Sequence, residues 1–212
     1  MQAGPSSSIT LYTAKTGNGR RAAIMLEESG LPYNLVEVPI GKGAVKPEAL
    51  LRVNPQGTIP TINDPHGPDG QPVNLRQSGA ILLYLSEKTG KMLPGDPTLR
   101  PAMFEWLMFA MTDVVGANTA MYLTGSEFPD DPAKVSIFFK NQLVYFLRVC
   151  DRRLGESKFL AGPEITIADI ALYPVLLSRR DLIDETSGLD HIKQWGEELA
   201  ARPAVRRALA KL

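Results

Sequence analysis

The order of its periodic segments is what most restricts this chain. Strand-like and helix-like patterns alternate through residues 1–90, and everything beyond follows helical periodicity alone. Residues 9–13 (ITLYT) are β-branched and aromatic and predict a strand. A turn at Thr16-Gly17-Asn18-Gly19 leads into a helix over 20–29, stopped by Gly30 with Pro32 just beyond. Residues 34–38 (NLVEV) alternate like a second strand, and 47–53 read as a short helix carrying Leu50, Leu51 and Val53. The run 54–62 (NPQGTIPTI) turns into a strand that contains Pro60. Residues 64–71 (DPHGPDGQ) are dense in turn formers, and 72–75 return as a hairpin partner. A helix over 78–89, with Ile81, Leu82 and Leu85 at helical spacing, stops at Gly90.

A β-α-β unit needs its crossover helix to make a parallel pair, and the hairpin completes a small mixed sheet. This is the plan of a thioredoxin-like domain, residues 1–90. Residues 91–98 form a linker. Helices follow over 98–123, 131–154, 166–181, 189–201 and 203–210; Phe128-Pro129-Asp130-Asp131-Pro132 breaks the first from the second, and Pro203 suits a first helical turn. The fold class is α/β plus all-α: a thioredoxin-like N-terminal domain with a mixed sheet, then a C-terminal helical bundle over 99–212.

Charge narrows the function. Lys plus Arg and Asp plus Glu both number 23, so no net field draws in nucleic acid or an anionic membrane. The pairs Arg20-Arg21, Arg152-Arg153, Arg179-Arg180 and Arg206-Arg207 are scattered and read as solvated helix faces. A single cysteine, Cys150, excludes an internal disulfide and a cysteine zinc cluster; its amphipathic setting predicts a buried, inert thiol. His66 and His191 lack metal-ligand spacing, and no metal is expected. No apolar run reaches membrane-spanning length, and residues 1–8 lack the pattern of a signal peptide. A soluble protein of a reducing compartment, the cytoplasm by default, is the expectation.

Three features carry possible chemistry, each with an ordinary structural alternative. Ile59-Pro60 interrupts a strand, which a cis peptide would accommodate; the backbone of Ile59 could then receive an extended peptide, whereas the plain alternative is a trans-proline on an edge strand. Gln77-Ser78 opens a helix, whose free N–H groups and dipole attract a carboxylate; the alternative is a capping serine. Thr16 to Gly19 offers hydroxyl and amide donors beside another helix start, suited to a thiolate; the alternative is a capped turn. All three lie where a strand gives way to a helix or bend, and a tripeptide with a thiol and an α-amino acid end would match them.

The chain resembles the cytosolic glutathione transferases over nearly its whole length, most closely the nu class and its fungal nitrogen-regulator relatives. The stretches that carry the likeness are LYTAKTGNG from Leu11, LEESGLPY from Leu26, GKG from Gly41, NPQGTIPTI from Asn54 and QSGAILLYLSEKTGK from Gln77. FLAGPEITIADIALYP from Phe159 and ARPAV from Ala201 continue it. Within the second-last stretch, Thr166 and Asp169 form a capping box, a folding device.

The resemblance implies that Thr16 and Asn18 contact the sulfur of glutathione and act as the catalytic pair. It implies binding of the same molecule by Asn18, Thr58, Ile59, Pro60, Gln77 and Ser78, attack on a small apolar electrophile or a disulfide, and a homodimer, with a non-catalytic glutathione-binding or regulatory protein of the same fold as the alternative. Tyr12 ranks below Thr16 and Asn18 as thiol activator and is expected in the core. Some positions depart from the family. Gln77 stands where the class has Glu, Thr58 where a basic residue is common, and Ala44-Val45-Lys46 replaces a run with a ligand-contacting glutamine. A basic residue serving a second glutathione is replaced near Phe138. Phe104, Met108, Met111, Met121, Tyr122, Phe138 and Phe139 are candidates for an apolar co-substrate pocket, although buried helix packing is the expectation for most of them.

Overall fold

A computed structural model describes residues 8–126 and 132–212, so most of the expected breaker at Phe128–Asp131 lies outside the described residues. They form two units by contact, one running to Lys91 and including Arg202–Leu212, the other spanning Met92–Ala201.

The first unit opens with β1 (Ile9–Thr13), α1 (Gly17–Ser29), β2 (Tyr33–Glu37) and α2 (Glu48–Val53). It continues with β3 (Thr61–Asp64), β4 (Val73–Arg76) and α3 (Ser78–Thr89). The sheet order is β2-β1-β3-β4, with β1 parallel to β2 and antiparallel to β3, and β3 antiparallel to β4. This is the mixed sheet expected of a thioredoxin-like domain. The register sets Leu11 opposite both Leu35 and Ile62. Tyr12 points to the other face, because successive strand residues alternate, and packs with Val38 and Leu50.

Two local differences from the expected elements have simple causes. α1 begins at Gly17, three residues early, because the Thr16 hydroxyl caps it by accepting from Gly19 N at 3.0 Å. β3 starts after Pro60 instead of containing it, since proline has no N–H to give the ladder. β3 is also central, so the bend, not an edge strand, accommodates that proline.

The last helix, α10 (Pro203–Ala210), was expected within the helical domain but packs on α1 of the first unit. Glu28 takes both forks of Arg202 at 2.6 and 2.9 Å, and Glu27 accepts from Arg207 at 2.7 Å and Lys211 at 2.5 Å.

The second unit is all-helical: α4 (Arg100–Phe109), a π turn over Ala110–Val114, α5 (Val115–Ser126), α6 (Pro132–Glu156), α7 (Ile167–Ser178), α8 (Arg180–Glu185) and α9 (Asp190–Ala201). The single helix expected over 166–181 is broken at Arg179, which leaves helical geometry at φ −129° and ψ 28°. α7 is buried from Ile167 to Leu176 and forms the unit's centre. Both arms of its capping box are present: Thr166 Oγ1 accepts from Ala168 N, and Asp169 Oδ2 accepts from Thr166 N at 2.9 Å. Cys150 is buried, and burial, followed by nearby Asp151, pushes its thiol up to about 12. The unreactive thiol expected from sequence fits this setting.

Candidate functional site

The sheet topology gathers three loops at one end. β1 finishes, β3 starts and β4 finishes there, with Tyr12 opposite Thr61 and Thr61 opposite Arg76. The chain after β1 into the start of α1, the bend before β3, and the chain after β4 into the start of α3 carry Thr16, Asn18, Thr58, Ile59, Pro60, Gln77 and Ser78.

In the first loop Thr16 is the cap of α1, and because its oxygen accepts from Gly19 N its own proton is left to donate outward. Gly19 is required by space: a Cβ there would sit 2.1 Å from Ala14 O and 2.5 Å from Thr13 Oγ1. Asn18 is exposed, yet its Oδ1 is committed twice, accepting from Arg21 at 2.7 Å and from Ser78 Oγ at 3.2 Å. Two donors at one oxygen fix which way the amide faces. Its Nδ2 has no hydrogen-bond partner among the described residues and is available to an acceptor.

The bond from Ser78 to Asn18 ties the start of α3 to the start of α1, sixty positions apart in sequence. Ser78 is therefore more than a cap: it is buried, it is the first helical residue, and Gln77 precedes it as the cap residue without a side-chain capping bond. Gln77 has φ 74° and ψ 116°, a strained backbone for a residue with a side chain, of the kind that concentrates at functional sites. The first intrahelical bond of α3 runs from Ile81 N to Gln77 O at 3.0 Å, so the N–H groups of Ser78, Gly79 and Ala80 precede it. Two helix N-termini thus converge, and each favours an anion.

The bend before β3 is held from below. Asn54 is buried, and its Nδ2 lies 3.0 Å from Thr58 O, 3.0 Å from Thr58 Oγ1 and 2.9 Å from Thr61 Oγ1. Thr61 Oγ1 also donates to Thr58 O at 2.8 Å. The Ile59-Pro60 peptide is cis, so the plain trans alternative on an edge strand does not hold. The side chain of Ile59 packs on the Tyr12 cluster, while its backbone N–H and C=O have no hydrogen-bond partner among the described residues. Thr58 is exposed and Pro60 buried. Tyr12 is only 7 % exposed, its ring within the core.

Several expectations need correction. Arg21 is not on a solvated face: it is 1 % exposed, and burial pushes its guanidinium down to about 10. Its spacing of three from Asn18 on one helix was the signal that could have found it. Arg153 and Arg179 are also half-buried, bonded to Leu160 O and to Asn118. None of the seven apolar candidates on the helical unit is buried: Phe104, Met108, Tyr122 and Phe138 are exposed, and Met111, Met121 and Phe139 half-buried. Among the described residues no three His, Cys, Asp or Glu side chains group to hold a metal ion, and no helix is long and apolar enough to cross a membrane.

Two family models match the chain, the glutathione S-transferase N-terminal domain over residues 18–88 and its C-terminal domain over 118–211. Disulfide-bond oxidoreductase YfcG of Escherichia coli is 36% identical over 96% of this chain and 95% of its own. The chain belongs to the glutathione S-transferase family. Disulfide-bond oxidoreductase YghU of the same organism is 34% identical over 94% of this chain and 73% of its own length. A Pseudomonas fluorescens family member solved with two glutathione molecules bound superposes with a TM-score of 0.86 at 34% identity, covering 98% of this chain and 95% of that one. A Pseudomonas putida glutathione transferase with glutathione disulfide bound superposes at 0.84 with 31% identity, covering 98% and 93%. The chain is thus an enzyme of this family, its N-terminal unit the thioredoxin-like one.

Proposed function

We propose that the chain binds glutathione across the three converging loops, ionises its thiol, and uses the thiolate against a small electrophile. The observation that carries this is the Ser78–Asn18 hydrogen bond, which joins two anion-favouring helix starts beside the unpaired backbone of Ile59. In this reading the γ-glutamyl carboxylate takes the N–H groups at the start of α3 with the Ser78 hydroxyl nearby, and Gln77 meets the same end. The cysteinyl amide pairs with Ile59 as an added strand, positioned by the bend at Pro60, with Thr58 exposed alongside. Thr16 Oγ1 and Asn18 Nδ2 donate to the sulfur. Each unit by which they lower the thiol pKa from ~8.5 needs about 1.4 kcal/mol of preference for the anion, which one or two donors plus a helix end supply. The chain's own thiol, Cys150, takes no part.

A second reading is favoured by the names of YfcG and YghU: disulfide-bond reduction. The same thiolate would attack one sulfur of a disulfide, forming a mixed disulfide and expelling the other sulfur as a thiolate. Nu-class membership, a homodimer and a cytoplasmic location belong to the same proposal.

The test is turnover of an aryl halide and of a mixed disulfide in parallel, for the wild type, Thr16→Ala and Asn18→Ala. Loss of about 10²-fold in Asn18→Ala is expected, in the range of one preorganised donor. Unchanged turnover in both variants would remove the assigned thiolate site, and loss in Tyr12→Phe alone would move it to Tyr12. The ratio of the two activities decides between the readings.

A further inference from the structure

We infer that Arg21 is a positioning residue for the thiolate site: it holds the Asn18 amide with its donor turned outward and sets a fixed positive charge behind it. The inference rests on the proposed role of Asn18 and deepens it. Asn18 is exposed on a loop, and an exposed asparagine ordinarily samples several rotamers and both amide orientations. Here Arg21, one turn along α1, donates to its Oδ1 at 2.7 Å. Ser78 donates to the same oxygen at 3.2 Å. An amide whose oxygen faces two donors must point its NH₂ the other way.

Arg21 itself cannot swing, because it is only 1 % exposed. Burying a charge this deep is costly unless it is hydrogen-bonded, and the bond to Asn18 is one such contact. Although burial pushes its pKa down to about 10, the group is protonated at neutral pH. A buried cation one hydrogen bond behind a donor polarises that donor and favours a negative atom in front of it. The hydrogen bond gives Asn18 its direction, and the charge acts through the low-dielectric interior instead of through water.

The experiment titrates bound glutathione by the ultraviolet absorbance of its thiolate, in wild type, Arg21→Met and Arg21→Lys, with affinity from calorimetry. Arg21→Met is expected to raise the bound thiol pKa by about one unit, tenfold less thiolate, while affinity stays within about threefold. Arg21→Lys should restore most of the shift. A merely structural arginine would alter affinity and melting without moving the thiol pKa. An unchanged pKa in Arg21→Met overturns the inference. Should that variant fail to fold, Arg21→Gln replaces it with the same expectation and the same refutation. If the wild type binds no glutathione, the proposed function fails by itself. The inference is then judged on the free protein, where the Asn18 side-chain amide should be rigid by NMR order parameter in the wild type and mobile in Arg21→Met; equal order parameters overturn it.

Discussion

Replacing Asp169 with alanine should be among the costlier single truncations in the helical unit. The carboxylate is fully buried at the start of α7. Its Oδ1 accepts from Leu160 N and Trp195 Nε1, both at 3.1 Å, and its Oδ2 from Thr166 N at 2.9 Å and Thr166 Oγ1 at 3.2 Å. It therefore joins three segments: the loop before α7, the cap of α7, and α9. Truncation leaves two backbone donors and an indole N–H buried without an acceptor, at about 1–3 kcal/mol each. Against this, burial pushes the Asp169 carboxyl up, so removing it also relieves a desolvation cost. The two effects together leave a loss of roughly 3–5 kcal/mol, the range found when one partner of a buried polar network is removed. For a chain of this size that lowers the melting temperature by on the order of 10 °C. Trp195→Phe, which deletes one donor and keeps most of the ring, should lose only about 1 kcal/mol. The double variant should fall short of the sum, because the two share one hydrogen bond. Calorimetric melts of the three variants at one protein concentration are the assay. An Asp169→Ala chain melting within 2 °C of the wild type, roughly 1 kcal/mol or less, would refute the account.

Gly19→Ala should destabilise the first loop, since its Cβ would meet Ala14 O at 2.1 Å; a lower melting temperature together with weaker glutathione binding is expected. Asp64 sits buried at the end of β3, where it accepts from Lys88 at 2.5 Å, Tyr84 at 2.7 Å and His66 N at 2.9 Å. Burial opposes its charge, but those partners together hold its pKa below the ordinary carboxylate value. Its contribution is therefore present above the unfolded pKa and lost as pH falls through the folded one. Asp64→Asn should cost about 1.5–3 kcal/mol at neutral pH and much less in acid, as urea melts at both pH values would show. Cys150 should resist iodoacetamide in the native protein and react at once after denaturation; rapid native labelling followed by mass spectrometry would contradict its burial.

Much of the fold was legible because period and punctuation are local. β1, α3 and α10 fall where their patterns put them, and Gly30 and Gly90 stop their helices in left-handed conformations. Gln77-Ser78 and Thr16–Gly19 were also visible, as helix starts. What a helix start does next was not visible. Ser78 could have been a cap, and became a donor to Asn18 only because α1 and α3 meet. The same holds for Asn54, an unremarked turn residue in sequence that holds Thr58 and Thr61 from beneath.

The amino-acid order by itself determined the element types, the succession from mixed sheet to helices, and the three places where a strand gives way to a helix start or a proline bend. Those follow from forces acting over a few residues: side-chain periodicity, capping, and the missing N–H of proline. The tertiary structure alone decided that Arg21 is interior, that Gln77 takes a strained backbone, and that α10 returns to α1 through the Glu28–Arg202 pair, 174 positions apart. Burial and charge pairing depend on which surfaces meet, and that is settled only when distant segments pack together.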